Sequence, residues 1–388
     1  MMTRIRVLHL ISGIAIGNQV GGAELHALQM TRCFNPELVE AALFPMWRYH
    51  DPTEQKWEEV IAAAGLPLWG LIPREQGWWA MWRALVKAVH TFQPHIIHTH
   101  SERGDLFNIA LHLSHPVHPL AVRTIHIDQR WRTHPQIGPW LEDSLLPQFL
   151  AHECVVSAVL KELLLAQGHS PERVTVCYNG IDAAAFQAPP HPLPHPLPEG
   201  VPDARPRLGI IGRLTTQKGH ADLLSAIALV HKKTPVHLLI IGEGPERQAL
   251  QQQTQQLGLA SYVHFLGSRS DIWPLLATLD LFVIPSLWEG FPTVILEAMA
   301  QNVPVIASDV AGSKELVRHG QTGYCLPPQN PVQWAETIIQ ALDHPTETQA
   351  LARQARIFAS QFTIQNAAAA YTQIYQQLKK TALPDRTG

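Results

Sequence analysis

The stretch 236–245 reads Val-His-Leu-Leu-Ile-Ile-Gly-Glu-Gly-Pro, and a segment typical of a helix follows it directly. A strand in a parallel sheet is buried on both faces, so it shows a nearly continuous apolar run like this one. The same alternation of strand, loop and helix extends from 207 to 308. We therefore predict five strands that alternate with helices: 207–211, 236–241, 262–266, 281–285 and 304–308.

The first half of the chain shows the same alternation. Strand-like runs at 7–12, 41–46 and 95–98 are interspersed with helical segments at 24–34, 53–64 and 78–92. Such a pattern is typical of βαβ units, which build parallel sheets.

A proline-rich stretch separates the two halves. Residues 188–206 contain eight prolines in nineteen positions, which forbid a helix and favour an extended connector. We predict a Rossmann-like domain at 1–187, a linker at 188–206, a second Rossmann-like domain at 207–360, and a helix at 361–388 that packs back on the first domain. The expected fold class is α/β, with two doubly wound domains facing a central cleft, and ligands should bind beyond the carboxyl ends of the strands.

The composition excludes several classes of protein. Of 388 residues, 46% are hydrophobic and 16% charged, so the chain can build sizeable cores and is not disordered. A formal net charge of −3 gives no general attraction to nucleic acid. Four scattered cysteines fit a reducing compartment, and the apolar run at 7–11 is too short for a signal-peptide core. We expect a cytoplasmic protein whose only membrane contact would be peripheral, at the inner face of the cell membrane.

The loop 13–24 leads from the first strand into a helix and contains four glycines, Gly13, Gly17, Gly21 and Gly22. Glycine lets backbone N–H groups approach an anion, and the helix N-terminus adds a favourable dipole. A plain flexible turn is the alternative. An NAD fingerprint requires G-x-G-x-x-G and an acidic residue about 20 positions later. Both are missing, so NAD binding is disfavoured.

Two later loops carry charged residues. Arg213 and Lys218 follow the strand 207–211 beside a helix start, which is the geometry that a diphosphate needs. Ordinary surface charge is the alternative reading. In the loop 242–245, Glu243 is either a ligand contact or a helix cap.

The loop 286–297 places two carboxylates differently. Pro292 suits the first turn of a helix, so Glu289 lies in the loop and Glu297 about one turn inside the helix. The free backbone N–H groups of Thr293 and Val294 are available to a phosphate. Sugars and ribose both present hydroxyls that donate well to carboxylates.

Seven segments carry a resemblance to one known family: Gly21-Gly22-Ala23-Glu24, Thr124-Ile125-His126, 178–182, Gly212-Arg213, Gln217-Lys218-Gly219, Gly242-Glu243-Gly244, and Glu289-Gly290-Phe291-Pro292 with Glu297. In this order, from 7 to about 375, they resemble the retaining glycosyltransferases of family 4. That family has the two-domain GT-B fold. The resemblance implies an acceptor-binding first domain and a second domain that binds a nucleotide-sugar donor.

The resemblance also implies roles for the charged residues. Arg213 and Lys218 would bind the donor diphosphate in place of a divalent metal, so neither a metal nor another cofactor is expected. Glu289 would contact hydroxyls of the donor sugar, and Glu297 the ribose. Uridine is the commonest base in the family, which makes a UDP-sugar the expected donor.

Catalytic roles are predicted for His126, Arg213, Lys218 and Glu289. Substrate-binding roles are predicted for Gly21, Gly22, His98, His100, Gly212, Gly242, Glu243, Gly267, Ser268, Gly290, Phe291, Pro292, Thr293, Val294 and Glu297.

His126 resembles the family's histidine beside the transferred sugar, and a histidine satisfied within its loop is the alternative. Retention needs either a carboxylate nucleophile or an attack on the same face as the departing phosphate. Asp128 is the nearby carboxylate, and the resemblance implies same-face substitution. Ile127 and Asp128 depart from the family, which often has a small residue after this histidine.

Histidines outside these motifs support further predictions. His98 and His100 end a strand and either line the acceptor pocket or have structural roles. His112, His115 and His118 are spaced three residues apart, and prolines follow His115 and His118 in a turn. We interpret them as solvated loop histidines rather than as a metal site.

Six of the eleven tryptophans fall between 47 and 82. Trp78, Trp79 and Trp82 share a helical segment with Arg83, a combination that can mark an interfacial membrane site. Ordinary packing on the first sheet is the alternative.

The expected activity is therefore transfer of a sugar to a glycan, glycolipid or small-molecule acceptor, in cell-envelope polysaccharide biosynthesis. A nucleotide-sugar epimerase on the same fold and a sugar-binding protein without catalysis are the competing hypotheses.

Overall fold

The computed structural model describes residues 4–15, 21–114, 118–127, 136–187, 197–269 and 271–382. It divides into a first unit, Met1–Gly180 with Ile364–Gly388, and a second unit, Ile181–Thr363. The second unit thus begins seven residues before the proline-rich stretch, whose residues 188–196 lie outside the described part.

The first unit is built on a parallel six-stranded sheet. The described part of the unit has these strands: β1 (Ile5–Ile11), β2 (Val39–Pro45), β3 (Trp47–Arg48), β4 (Ile72–Pro73), β5 (Ile96–Thr99), β6 (Leu120–Ile125), β7 (His152–Val155) and β8 (Val174–Val176). Its first helices are α1 (Gly22–Thr31), α2 (Pro52–Ala63), α3 (Gly77–Phe92), α4 (Glu102–Ser114), α5 (Gly138–Trp140) and α6 (Ala158–Ala166). The sheet order is β2-β1-β5-β6-β7-β8, and β3 and β4 pair with each other in a separate two-stranded sheet.

The second unit has a sheet of the same size and kind. Its strands are β9 (Arg207–Ile211), β10 (His237–Ile241), β11 (Val263–Gly267), β12 (Leu281–Ile284), β13 (Val305–Ser308) and β14 (Tyr324–Leu326). Its helices are α7 (Ala184–Gln187), α8 (His220–His231), α9 (Arg247–Gln256), α10 (Ile272–Leu276), α11 (Thr293–Ala300), α12 (Ala311–Leu316), α13 (Pro331–Asp343) and α14 (Pro345–Ala359). The order β11-β10-β9-β12-β13-β14, parallel throughout, is that of a Rossmann fold.

The last helix, α15 (Ile364–Ala382), belongs to the first unit. Ile364, Ala367, Ala368, Tyr371 and Tyr375 recur at helical spacing and are all buried in the core of that unit. The chain therefore leaves the first unit, builds the second, and returns to complete the first.

The predicted α/β class with two parallel-sheet domains is confirmed. The sequence analysis gave no strand at β7, β8 or β14, each of which has only three or four residues. β7 also carries His152 and Glu153, which interrupt the apolar run that identifies a buried strand. Runs of three or four residues are too short to show the periodicity that identifies a strand.

A buried cluster of charges explains how β7 tolerates Glu153. Arg123 on β6 is 1% exposed, and its guanidinium donates to Glu153 at 2.8 and 2.5 Å and pairs with Glu142 at 2.6 Å. Burial alone would raise the pKa of Glu153, but hydrogen bonds from His169 and Arg123 lower it to about 2. Glu153 is therefore ionised at neutral pH and depends on Arg123.

Replacing Arg123 by Met should destabilise the first unit by about 3–5 kcal/mol, because buried carboxylates lose their counter-ion. Urea unfolding followed by circular dichroism measures this. Arg83→Met, which removes an exposed arginine from α3, is the control. Equal unfolding free energies for the two variants would contradict the prediction.

Candidate active site

The strand order of the second sheet reverses between β9 and β12, which pair with each other. In doubly wound sheets ligands bind beyond the carboxyl ends of the strands at such a switch point. The loops that follow these two strands, 212–219 and 285–292, are joined by hydrogen bonds. The Leu287 N–H donates to the Gln217 carbonyl at 2.7 Å, and the Gln217 side chain donates to the Trp288 carbonyl at 3.0 Å.

Lys218 and Glu289 meet where these loops join. The Lys218 ammonium lies 2.5 Å from Glu289 Oε1, which also accepts a hydrogen bond from the Ser286 hydroxyl at 2.6 Å. Glu289 is only 6% exposed, so its charge is held away from water and balanced by Lys218. The structure thus brings together two predicted catalytic residues from segments 71 positions apart.

Arg213 differs from Lys218 although both belong to the loop 212–219. It is exposed, and within the described residues its guanidinium makes no hydrogen bond or ion pair. Arginine recognises phosphate oxygens through several fixed N–H groups, so an unpaired guanidinium at a switch point is suited to an anionic ligand.

Predicted glycines line the ends of three neighbouring strands. Gly212, Gly242 and Gly267 stand at the carboxyl ends of β9, β10 and β11, and the Gly242 N–H donates to the Gly267 carbonyl at 2.8 Å. Gly242 has a φ of +140°, and a Cβ there would overlap the carbonyl of Gly212. The two loops can therefore approach this closely only because position 242 has no side chain.

Glu243 and Ser268 lie beside these glycines. The Glu243 carboxylate accepts a hydrogen bond from the Arg247 guanidinium one turn later, and the residue at the N-cap of α9 is Glu246. Ser268 is exposed. Both polar groups are thus at the same edge of the sheet as Gly242.

Helix α11 begins directly after the loop that carries Glu289. Pro292 is its N-cap residue and provides no side-chain cap, so the first N–H groups, at Thr293 and Val294, have no partner within the helix. The Gly290 carbonyl packs closely against Gly312 of α12, where a Cβ would overlap it. The Phe291 ring is buried 5.3 Å from the ring of Phe362, which leaves only its backbone for a ligand.

Glu297 lies one turn inside α11 and has a perturbed carboxyl group. Burial raises its pKa from 4.5 to about 7. This group therefore changes charge near neutral pH, unlike an ordinary glutamate.

The raised pKa of Glu297 predicts a pH-dependent stability difference. The stabilisation that the protonated carboxyl provides is fully present below about pH 4.5 and is lost as the pH rises through about 7. Glu297→Gln should therefore gain stability relative to the natural chain between pH 5 and pH 8, as measured by urea unfolding at both values. Glu336→Gln, at an exposed glutamate, should show no such gain. A Glu297→Gln effect independent of pH would refute the assignment.

In the first unit, Gly21 is the N-cap residue of α1, and Gly22 is the first residue of that helix. The Leu25 N–H donates to the Gly21 carbonyl at 2.8 Å, and a Cβ at Gly21 would overlap the carboxylate of Glu24. The preceding residues 16–20, which include Gly17, lie outside the described residues, as does Asp128.

The structure gathers His98, His100 and the half-buried His126 into a cluster with two buried histidines that the sequence analysis did not select, His9 and His26. His9 Nδ1 lies 3.1 Å from His100 Nε2, and His100 Nδ1 lies 3.1 Å from His126 Nε2. The sequence did contain a signal for His9. Residues at corresponding places in β1 and β5 become neighbours in a parallel sheet, and His9 is the register partner of His98.

Every ring in this cluster is neutral at pH 7. Burial lowers the pKa of His9 and His126 to about 3 and that of His26 to about 4. The pKa values of His98 and His100 also lie well below 6.5, first through burial and then through their neighbours.

His98 is fully buried and both of its ring nitrogens have partners. Nε2 lies 2.7 Å from the Thr124 hydroxyl, and Nδ1 lies 2.5 Å from the Tyr375 hydroxyl on α15. This geometry favours the structural alternative for His98, because no ring nitrogen remains for an acceptor.

The tryptophans of α3 divide into two groups. Trp78 is 55% exposed and Trp79 is 71% exposed, whereas Trp82 is half-buried and stacks on Phe107 with ring centroids 6.3 Å apart. Arg83 is exposed. Within the described residues, no helix is both long and apolar enough to cross a membrane.

Comparison with known proteins agrees with this geometry. Residues 197–358 match the family profile described as "Glycosyl transferases group 1", and residues 20–185 match "Glycosyltransferase Family 4". The chain is 29% identical over 310 residues to glycogen synthase of Mycobacterium tuberculosis, covering 75% of this chain and 70% of that protein. It is 28% identical over 293 residues to D-inositol 3-phosphate glycosyltransferase of Jonesia denitrificans, covering 72% and 69%.

Among solved structures, HepE of Anabaena in complex with UDP and glucose has a TM-score of 0.78 at 22% identity, covering 97% of this chain and all of that one. The two Rossmann-like units and the site in the second unit are those of a GT-B glycosyltransferase, which transfers sugar from a nucleotide sugar. The chain belongs to glycosyltransferase family 4. The predicted fold family and enzyme class are thereby confirmed, and the epimerase and sugar-binding hypotheses are set aside.

Proposed function

We propose that this glycosyltransferase uses a UDP-sugar and transfers the sugar with retention, by same-face substitution and without a metal at the diphosphate. The observation that carries the proposal is the pair of cations on the loop 212–219. Lys218 is held by the buried carboxylate of Glu289, while Arg213 is unpaired among the described residues. The complex of HepE with UDP and glucose supports the choice of donor.

The second unit can stabilise the negative charge that develops on a departing nucleoside diphosphate. Lys218 keeps two further N–H groups beyond the one directed at Glu289, and Arg213 offers its whole guanidinium. The uncapped N–H groups at the start of α11 add a favourable dipole. Fixed donors of this kind act on the transition state without reorganising.

The remaining polar groups suit the sugar and the ribose. Glu289 has a second carboxylate oxygen beyond the one that faces Lys218 and Ser286, and this oxygen can accept a sugar hydroxyl. Glu297 would accept the ribose hydroxyls when ionised. His126, in the first unit, remains the predicted contact to the transferred sugar. The acceptor would be a glycan, glycolipid or small molecule of cell-envelope polysaccharide synthesis, on the cytoplasmic side.

The donor assignment predicts slow release of nucleoside diphosphate from one member of a panel of UDP-, GDP- and ADP-sugars, with EDTA present. UDP-sugar should be the substrate, and Lys218→Met should reduce its turnover roughly 100-fold or more, because one diphosphate cation is lost. NMR recorded during turnover, before the released sugar mutarotates, should show the donor's anomeric configuration.

Lys233→Met, which removes an exposed lysine of the same unit, is the matched control and should retain turnover. Turnover that EDTA abolishes and Mg²⁺ restores would overturn metal independence. Inversion at the anomeric carbon would overturn same-face substitution, as would a glycosyl adduct trapped on Asp128.

We also propose that the start of α3 contacts the membrane surface that carries a lipid-linked acceptor. Trp78 and Trp79 are large, exposed aromatic side chains, and Arg83 and Lys87 on the same helix are exposed cations. Trp82 packs inward and so is assigned to the core. Exposed aromatic and cationic side chains together are typical of helices that bind at an anionic lipid interface.

Replacing both Trp78 and Trp79 by Ser should reduce binding to vesicles of anionic phospholipid, as measured by co-sedimentation. Ile357→Ser removes a side chain that is 76% exposed in the second unit, and it should leave vesicle binding unchanged. Full vesicle binding by the double variant would show that these tryptophans do not contact lipid.

A further inference from the structure

Three histidines of the first unit form a continuous row. His9 lies on β1, His100 directly follows β5, and His126 directly follows β6. His100 is the middle member, because its Nε2 lies 3.1 Å from His9 Nδ1 and its Nδ1 lies 3.1 Å from His126 Nε2. His9 and His100 are no more than 5% exposed. Each contact is at hydrogen-bond distance; the His9–His100 contact is buried and the His100–His126 contact is partly buried.

The chemistry of imidazole restricts the protons in this row. A neutral imidazole has one N–H and one lone pair, so a nitrogen–nitrogen hydrogen bond needs the N–H on one ring and the lone pair on the other. All three rings are neutral at pH 7, because burial lowers their pKa values. If His126 carries its proton on Nε2, then His100 must carry its own on Nε2, and so must His9. If His126 carries it on Nδ1, the other two must do the same.

The two ends of the row are unpartnered. His9 Nε2 and His126 Nδ1 are both buried, and neither has a hydrogen-bond partner in the described part of the chain. The row therefore has two proton arrangements. In one, His126 Nδ1 presents a lone pair and His9 Nε2 an N–H; in the other, the two ends are exchanged.

We propose that His9 and His100 are positioning residues that tie the tautomer of His126 to their own, so that His126 Nδ1 accepts from a sugar hydroxyl when the three rings carry Nε2–H and donates to it when they carry Nδ1–H. The consequence for catalysis depends on the proposed function, in which His126 contacts the transferred sugar. A sugar hydroxyl can donate or accept, so the tautomer of His126 sets the direction of this hydrogen bond and thereby which further partner the hydroxyl can engage. His9 and His100 therefore orient His126, which approaches the reacting sugar, and do not touch the sugar themselves.

A metal ion is the competing occupant of this cluster. One ring nitrogen each from His9, His98 and His100 lies within 4.8 Å of the others. However, both nitrogens of His98 already face hydroxyl groups, at 2.5 and 2.7 Å. The His98 and His100 rings also stack, with planes 25° apart. These contacts favour the hydrogen-bonded row, and a bound metal becomes an outcome of the test.

The first measurement uses the full-length protein labelled with ¹⁵N in its histidine rings, at pH 7. Long-range proton–nitrogen correlation distinguishes a protonated from an unprotonated ring nitrogen. Signals are assigned by their loss in single substitutions of His9, His100 and His126. All three rings should carry their proton on the same type of nitrogen. Opposite tautomers on neighbouring members, or rings protonated on both nitrogens, would overturn the proposal.

A matched pair of variants then tests the role of His100. The side-chain amide of Asn lies near the position of His Nδ1, and that of Gln lies near His Nε2. His100→Asn should therefore keep a hydrogen bond to His126, whereas His100→Gln should keep one to His9. Because an amide can either donate or accept, the tautomer of His126 should no longer follow that of His9 in either variant. A His126 tautomer that still matches that of His9 in both variants would refute the coupling.

The metal content of the purified protein is measured as well. Stoichiometric Zn²⁺ in the purified protein, lost in His100→Gln, would overturn the row in favour of a metal site. If neither His100 variant folds, the tautomers of the natural chain still decide the proposal. Because tautomers are read without any substrate, failure of the UDP-sugar assay and failure of this proposal are separate results.

Discussion

The direct pairing of β9 with β12 is the constraint on which the second unit depends. Leu281 pairs with Leu208 and Phe282 with Gly209, although more than 70 residues separate the two strands along the chain. Gly209 lets the side chain of Leu279 pack directly on β9, because a Cβ at position 209 would overlap that side chain and displace it. From β9 the chain builds the sheet outward in one direction through β10 and β11, and from β12 it builds in the other direction through β13 and β14. The loops after β9 and β12 are therefore not covered by a shared crossover helix.

The charged site follows from that pairing. Lys218 and Glu289 belong to the two loops that the switch point leaves open, and each satisfies the other before any ligand is present. A buried carboxylate without a counter-ion would destabilise the unit or become protonated. Glu297 has no such cation among the causes of its shifted pKa, and burial raises that pKa to about 7, so its carboxyl stays protonated over a wider pH range than an ordinary glutamate. Two glutamates eight positions apart thus lie in different electrostatic environments, because only one of them has a lysine beside it.

The first unit repeats the topology and solves the burial of polar groups in another way. β1 pairs with β5, which sets His9 beside His98 and His100 one residue past the strand end. In the described part of the chain, no carboxylate hydrogen-bonds to His9, His98 or His100. His100 bonds to His9 and His126, and His98 bonds to the hydroxyls of Thr124 and Tyr375. Neutrality makes this arrangement stable in a dry interior, whereas Arg123 in the same unit needs several carboxylates around it.

What could be predicted from sequence follows the range of each interaction. The apolar runs of β9, β10 and β12 identify themselves because burial on both faces is a local requirement. The pairing of Lys218 with Glu289, and the row from His9 to His126, depend on strand order, which a single sequence does not display. Glu243 is an example of both cases. Its place in a loop could be predicted, but its hydrogen bond from Arg247 depends on the position of the first turn of α9. Site residues in this fold are therefore found by their position at strand ends, and their chemistry is decided by which strand lies alongside.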